Sequence, residues 1–141
     1  MSEGTPPSHR PPRRQAAVAA SVGFLVLALF QLTLALGAPL GRAAWGGNYE
    51  RLPTPFRIGS AISVGVWILA AMIVLRRAGF PILLLRPGFA RWGTWILVGL
   101  LALGAVMNFA SRSNWERFIW GPVALTLAVL CLMIARGEEA G

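Results

Sequence analysis

The sequence predicts an all-α fold: an integral membrane four-helix bundle that two helical hairpins could form. Of the 141 residues, 56% are hydrophobic and 13% are charged, whereas soluble domains average about 25% charged residues. The apolar residues form four blocks with uncharged interiors and arginines at their flanks. At about 1.5 Å rise per residue, each block can cross a hydrocarbon core of about 30 Å. A soluble helix would rarely be so long and so free of charge.

The chain begins with a predicted disordered basic tail, residues 1–15, in which prolines and arginines leave too little apolar surface to bury. The first predicted span follows at residues 16–36. Its apolar run of about 21 residues exceeds the 7–15 residues typical of a secretory signal peptide, so we interpret it as a span. Cleavage of this segment as a signal is the open alternative.

The other predicted spans cover residues 58–75, 92–110 and 118–135, which gives a transmembrane domain over residues 16–136 and a C-terminal tail over residues 137–141. The loop between the second and third spans contains an apolar run, residues 80–85, that is too short to cross, and we expect it in the interface plane. Aromatic residues near the span ends, including Trp45 and Trp120, are expected to anchor the interfaces.

The distribution of arginines predicts the orientation. With four spans, the N-terminal tail, the second loop and the C-terminus share one side and hold eight arginines, whereas the other side holds five. Cytoplasmic loops carry an excess of basic residues. We therefore expect a multi-pass protein of the cell inner membrane with both termini in the cytoplasm.

The basic charge predicts lipid partners. A net charge of +8 would suggest nucleic acid in a soluble protein, but these arginines flank apolar spans, so membrane lipids are the simpler partner and no nucleic acid is expected. A homo-oligomer or a membrane partner protein is also compatible with the sequence. The single cysteine, Cys131, lies in the fourth span, which excludes an intrachain disulfide and indicates a packing role.

The predicted spans contain no carboxylate, lysine or histidine. Coupled transporters commonly need such groups at membrane depth, so the sequence disfavours a proton-coupled exporter. The most polar side chains within the spans are Gln31 and Asn108, both toward the outer ends of their helices. Chemistry, if any, is therefore expected at the outer surface.

The two outer loops share a short pattern, since residues 48–52 read NYERL and residues 114–118 read NWERF. This pattern suggests a duplicated hairpin, which would relate two parallel units by an axis along the membrane normal. The loops, with the polar residues beneath them, form a candidate ligand- or lipid-binding group. Its members are Gln31, Arg42, Trp45, Glu50, Arg51, Arg57, Asn108, Arg112, Glu116 and Arg117.

The arginines in this group predict an anionic ligand, because a guanidinium can hold a phosphate or carboxylate through two hydrogen bonds. The alternative is interfacial anchoring, with each glutamate neutralising a neighbouring arginine. Two glutamates without histidine, aspartate or metal-ligand spacing give weak support for a hydrolase. No catalytic, cofactor-binding or metal-binding residue and no cofactor is predicted.

The first outer loop, residues 37–57, has more turn-forming residues than a plain connection requires. Its glycines permit positive φ and its prolines interrupt any continuous helix. We expect this loop to fold back over the helices as a lid, provided that its polar groups are solvated or buried in protein.

Residues 37–47 read GAPLGRAAWGG, and Asn108 and the segment from Trp115 through Pro122 follow later in the chain. In these stretches the sequence resembles an uncharacterised family of small four-span bacterial integral membrane proteins with a G-A-P-x-G-R-x-A-W-G-G stretch after the first span. The resemblance covers most of the chain outside its tails. It implies a bacterial inner-membrane location and supplies no site residue.

From these observations we expect a structural or accessory membrane protein whose outer-facing polar cap binds lipid or a partner. A small oligomeric channel or transporter for an anionic or uncoupled solute is the alternative. The two differ in the inner half of the molecule, where transport requires a polar path from Gln31 and Asn108 to the other side. A lipid-modifying enzyme that uses Glu50 or Glu116 ranks below this expectation and stays open.

Overall fold

The computed structural model describes residues 13–137. The protein is 80% helical, and its described residues contain four long α-helices and no β-strand, which confirms the predicted all-α class. Each helix is long and apolar enough to cross a membrane, counting the last with the π-helical turn that precedes it. The helices are α1 (Arg13–Ala35), α2 (Thr54–Arg77), α3 (Pro87–Ala110) and α4 (Gly121–Arg136), and the π-helical turn is Glu116–Trp120.

The helix ends extend past the predicted spans. The first helix begins at Arg13, inside the predicted tail, whose first twelve residues lie outside the described chain. The second helix starts before its apolar run because Pro55 occupies the first turn, where a missing N–H and a fixed φ are tolerated. The third begins at Pro87 for the same reason.

The helices pair as two hairpins. Helix α1 packs mainly against α2 and α3 mainly against α4, while α1–α4 and α2–α3 contacts join the two pairs. The main core lies toward the end that carries the chain termini, where Phe24, Val74, Cys131 and Ile134 have no exposed surface. Small residues such as Ala17 and Ala20 also belong to this core and let the helices approach closely.

The terminal end of the molecule also holds the loop between α2 and α3. The Arg14 guanidinium lies 4.5 Å from the centre of the Phe80 ring, Arg76 Nε donates to the Leu85 carbonyl at 3.0 Å, and Arg77 donates to the Ala135 carbonyl at 3.3 Å. These three arginines, which were assigned to one side of the membrane, therefore lie at one end of the helices.

The opposite end is covered by residues 37–53, which we call the roof loop. It contains two short 3₁₀ turns, Gly41–Ala43 and Trp45–Gly47. A second, smaller core of Leu34, Ala44 and Leu52 fastens the loop to the ends of α1 and α2. The loop thus folds back over the helices as the sequence predicted.

The two segments that share a sequence pattern do not share a local structure. Residues 48–52 are irregular, whereas residues 114–118 are helical. Leu52 is buried and its counterpart Phe118 is 69% exposed. The hairpins are therefore not repeats of one another at this point.

Candidate functional site

A partly open cavity of about 660 Å³ lies beneath the roof loop, between all four helices. Its size falls in the range of ordinary small-molecule sites, about 300–1,000 Å³. The lining residues are Leu27, Phe30, Gln31, Ala43, Ala44, Trp45, Gly46, Ser63, Val66, Trp67, Leu100, Leu101, Gly104, Met107, Asn108, Ser111, Glu116, Trp120, Val123 and Ala124. Most are apolar, and the polar ones lie near the roof loop.

The floor of the cavity is closed by aromatic packing. Trp67 lines the cavity and stacks on the buried ring of Phe24, with centroids 5.7 Å apart and planes 9° from parallel. Below this pair lies the main core, so the cavity is blind toward the terminal end.

The roof is held by two tryptophans that the sequence suggested as interfacial anchors. Trp45 has a positive φ of 52°, and its Nε1–H donates to Ser60 Oγ at 3.1 Å. Its ring lies so close to α2 that a Cβ at Gly59 would be 2.9 Å from the ring edge, so only glycine fits there. Trp120 donates from Nε1 to the Ala43 carbonyl at 2.8 Å. Both rings therefore fix the roof loop to the helices.

Glu116 joins the roof loop to the start of the fourth span. Its Oε1 accepts the Gly46 N–H at 2.9 Å, and its Oε2 accepts the hydroxyl of Ser111. The residue begins the π-helical turn, in which the Gly121 N–H bonds back five residues to the Glu116 carbonyl. Such turns insert an extra residue, often at functional sites. Here the turn presents a half-buried carboxylate at the edge of the cavity.

Gln31 and Asn108 line the cavity, from α1 and α3. The buried Oε1 of Gln31 accepts no hydrogen bond from the described residues. Asn108 donates from Nδ2 to the carbonyl of Gly104, one turn earlier, at 2.8 Å. A buried acceptor without a partner costs about 1–3 kcal/mol, so Gln31 marks a position where a donor is missing.

The arginines of the candidate group do not reach the cavity; among residues 13–137 none lines it. Arg51 donates to the Gly37 carbonyl at 2.9 Å, and Arg57 Nε donates to the Ala35 carbonyl at 3.0 Å. The Ala35 carbonyl belongs to the last residue of α1, and the Gly37 carbonyl lies two residues beyond it. The helix dipole is negative at this end, so a cation there is stabilising. Arg57 therefore caps α1, and Arg51 holds the start of the roof loop just beyond the helix end.

The remaining charged members of the group lie on the outer surface. Arg42, Glu50 and Arg112 are exposed, and so is Arg117, which donates to the Ser111 carbonyl at 3.0 Å. Within residues 13–137, neither Glu50 nor Glu116 forms an ion pair with an arginine, so the neutralising pairs of the anchoring alternative are not seen. The candidate group thus divides into cavity residues, helix caps and an exposed rim.

Several cavity residues were not singled out from the sequence as site residues, namely Phe30, Trp67, Ser111 and Trp120. One available signal was Trp67 itself, because tryptophan in the middle of an apolar span departs from its preference for membrane interfaces. No comparable signal marks Ser111, whose role depends on the loop conformation.

Together, four membrane-spanning helices and a roofed internal cavity define a multi-pass membrane protein with a candidate ligand site. Within the described residues no three histidine, cysteine, aspartate or glutamate side chains are grouped as metal ligands. No family model matches the chain, and no curated protein or solved structure matches it either.

Proposed function

We propose that this protein is an accessory binding protein of the bacterial inner membrane that holds a lipid or another amphipathic molecule in the cavity under its roof loop. The cavity itself is the observation that supports this function: its deep walls are apolar and aromatic, and its polar groups gather at the roofed end. Ligand sites commonly combine such walls with a few convergent polar groups.

The arginine distribution supports an orientation with both termini in the cytoplasm. Arg14, Arg76 and Arg77 lie at the end opposite the roof loop, as the excess of basic residues in cytoplasmic loops favours. The stretch of residues 37–47 also leads us to propose membership of the small four-span bacterial family that it resembles. In this orientation the cavity opens toward the outer half of the membrane.

The packing below the cavity favours a binding function over a transport function. Transport would need a polar path from Gln31 to the terminal end, but Trp67 at the cavity floor stacks on the fully buried Phe24. Val74 and Ile134 of the same core are also fully buried. Both oxygens of the Glu116 carboxylate accept hydrogen bonds, one from Gly46 of the roof loop and one from Ser111 after α3, which favours a structural and binding role over catalysis.

Filling the cavity tests this function. A Cβ at Gly104 has no neighbour within 4 Å, and the residue lines the cavity, so Gly104→Phe should project into it. The probe is a diazirine analogue of phenylbutanol, photolysed with the purified protein and mapped by mass spectrometry. In the wild type we expect labelling of cavity residues, and in Gly104→Phe we expect that labelling to fall by at least about tenfold, because the occupied volume is lost.

The matched control is Gly99→Phe, on the same helix. Its Cβ also has no neighbour within 4 Å, but Gly99 is exposed and does not line the cavity. This variant should label as the wild type does. Labelling confined to the lipid-facing surface, and equal in all three proteins, would show that the cavity binds nothing of this kind.

A further inference from the structure

Four hydrogen-bond donors around the cavity are already in use. The indole N–H groups of Trp45 and Trp120 donate to acceptors in α2 and in the roof loop. The hydroxyls of Ser63 and Ser111 donate to a helix carbonyl and to a carboxylate. A ligand that enters the cavity meets these four groups with their hydrogens committed to the protein.

Two acceptors at the cavity can still accept further hydrogen bonds. The carboxylate of Glu116 has about four lone-pair sites, and two hydrogen bonds, from Gly46 and Ser111, occupy part of them. The buried Oε1 of Gln31 accepts nothing from the described residues. The Gln31 amide can both donate and accept, but a carboxylate can only accept, so Glu116 favours a ligand that brings hydrogen-bond donors.

The charge at the cavity and its aromatic lining also favour a cationic ligand. Among residues 13–137, no arginine lines the cavity, and the neighbouring Arg117 is exposed and donates to the Ser111 carbonyl, not to the Glu116 carboxylate. Four aromatic side chains do line it, and aromatic rings attract organic cations over their faces. These four are Phe30, Trp45, Trp67 and Trp120.

We propose that the cavity binds the ammonium group of an amphipathic amine, an inference that rests on the proposed binding function and names its ligand class. The ammonium would lie at the roofed end near Glu116 and Gln31, and the apolar body would extend toward Trp67. This reverses the sign of the ligand expected from the sequence, because the arginines that suggested an anion lie elsewhere. The ammonium could belong to a free amine or to the head group of an aminophospholipid.

Three diazirine probes with one apolar body and different head groups test the ligand class: phenylbutylamine, phenylbutanol and phenylbutyrate. The protein is held in uncharged maltoside micelles, so that the micelle itself does not favour either charge. We expect the amine probe to half-saturate cavity labelling at a concentration at least about tenfold lower than the phenylbutyrate probe needs. A desolvated cation–π contact together with the nearby Glu116 carboxylate supports an effect of this size.

Glu116→Gln is the diagnostic variant. In this variant the half-saturating concentrations of the phenylbutylamine and phenylbutyrate probes should become nearly equal. Glu50→Gln removes the same charge from an exposed position outside the cavity and should leave the ratio of these two concentrations unchanged. The neutral alcohol reports on the cavity itself, because its labelling should survive in both variants if the fold is intact. If Glu116→Gln abolishes labelling by the alcohol probe as well, the ratio of the half-saturating concentrations of the amine and carboxylate probes in the wild type still decides the ligand class.

The outcomes separate the two proposals. Equal half-saturation by amine and carboxylate, at a site that Gly104→Phe abolishes, would overturn the ammonium class and leave the binding function standing. No cavity labelling by any probe would overturn both. If the amine is preferred, competition by phosphatidylethanolamine but not by phosphatidylglycerol in nanodiscs identifies a lipid head group as the source, and no competition by either identifies a free amine.

Discussion

At the scale of single residues, the arginines near the roof loop have different roles although the sequence presents them alike. Arg57 donates from Nε to the Ala35 carbonyl, and a Cβ built at Gly37 would lie 3.3 Å from its guanidinium carbon. Arg42 is exposed, and only its backbone carbonyl takes part in a hydrogen bond with another element. The first side chain stabilises the end of α1, and the second faces solvent or lipid head groups.

This difference predicts unequal stability effects. Arg57→Ala should destabilise the fold by about 1 kcal/mol, because it removes a hydrogen bond from a charged donor and a favourable interaction with the helix dipole. Arg42→Ala should change stability by less than about 0.5 kcal/mol, as exposed substitutions usually do. Unfolding in mixed micelles with increasing denaturing detergent measures both. A loss at Arg42 equal to that at Arg57 would contradict the assignment of Arg57 as a helix cap.

Some of the predicted site residues line the cavity, and others point away from it. Gln31, Asn108 and Glu116 were predicted as site residues, and all three line the cavity. Arg51 and Arg57 were predicted with them but donate to carbonyls at the end of α1 and just beyond it. Charge type and side of the membrane can be read from the sequence, whereas the direction of a loop side chain depends on backbone conformations that many sequences share.

At the scale of elements, the π-helical turn Glu116–Trp120 sets the position of the carboxylate relative to α4. It stands directly before Gly121 and Pro122, and a proline cannot donate the N–H that a regular turn would need there. The turn contains one residue more than an α-helical path. Removing one residue should therefore restore α-helical geometry and rotate Glu116 by about 100° relative to α4.

Deletion of Phe118, an exposed residue of this turn, tests this. We expect the Gly46 amide to lose its carboxylate acceptor, which for a hydrogen bond to a charged group corresponds to about 1.5–3 kcal/mol. Hydrogen exchange over residues 43–47 should accelerate by at least about tenfold. The control Phe118→Ala keeps the residue count and should exchange as the wild type does. Unchanged protection in the deletion would mean that the turn does not position Glu116.

The number and approximate positions of the four helices were the most predictable part of the fold, because the lengths of the apolar runs determine them. Their first residues were less predictable, since α2 and α3 begin before their apolar runs with Pro55 and Pro87 in the first turn. The π-helical turn was not predicted, since the sequence before Pro122 is compatible with a regular helix end. The rotation of each helix about its axis was also not predictable. Spans that are apolar on all sides carry little periodic signal to show which face meets a neighbour.

At the scale of the whole molecule, the two ends of the helices differ in their loops and in their exposed side chains. One end carries the chain termini and the loop between α2 and α3, in which Leu83 and Leu84 are 91% and 85% exposed. Such exposed leucines beside Arg76 and Arg86 suit a segment that lies in the interface, with apolar side chains in the acyl region and arginines at the head groups. The other end carries the roof loop and the cavity.

The orientation prediction follows from this asymmetry and can be measured in intact cells. After Cys131, which is buried, is replaced by alanine, Asn48→Cys places a thiol in the exposed roof loop, and Gly88→Cys places one at the exposed start of α3. Neither change alters a charge, so the arginine distribution that sets topology is preserved. An impermeant maleimide should label Asn48→Cys in intact cells and Gly88→Cys only after permeabilisation. The reverse pattern would place the cavity on the cytoplasmic side, and its ligand would then have to be an amine of the inner leaflet or the cytosol.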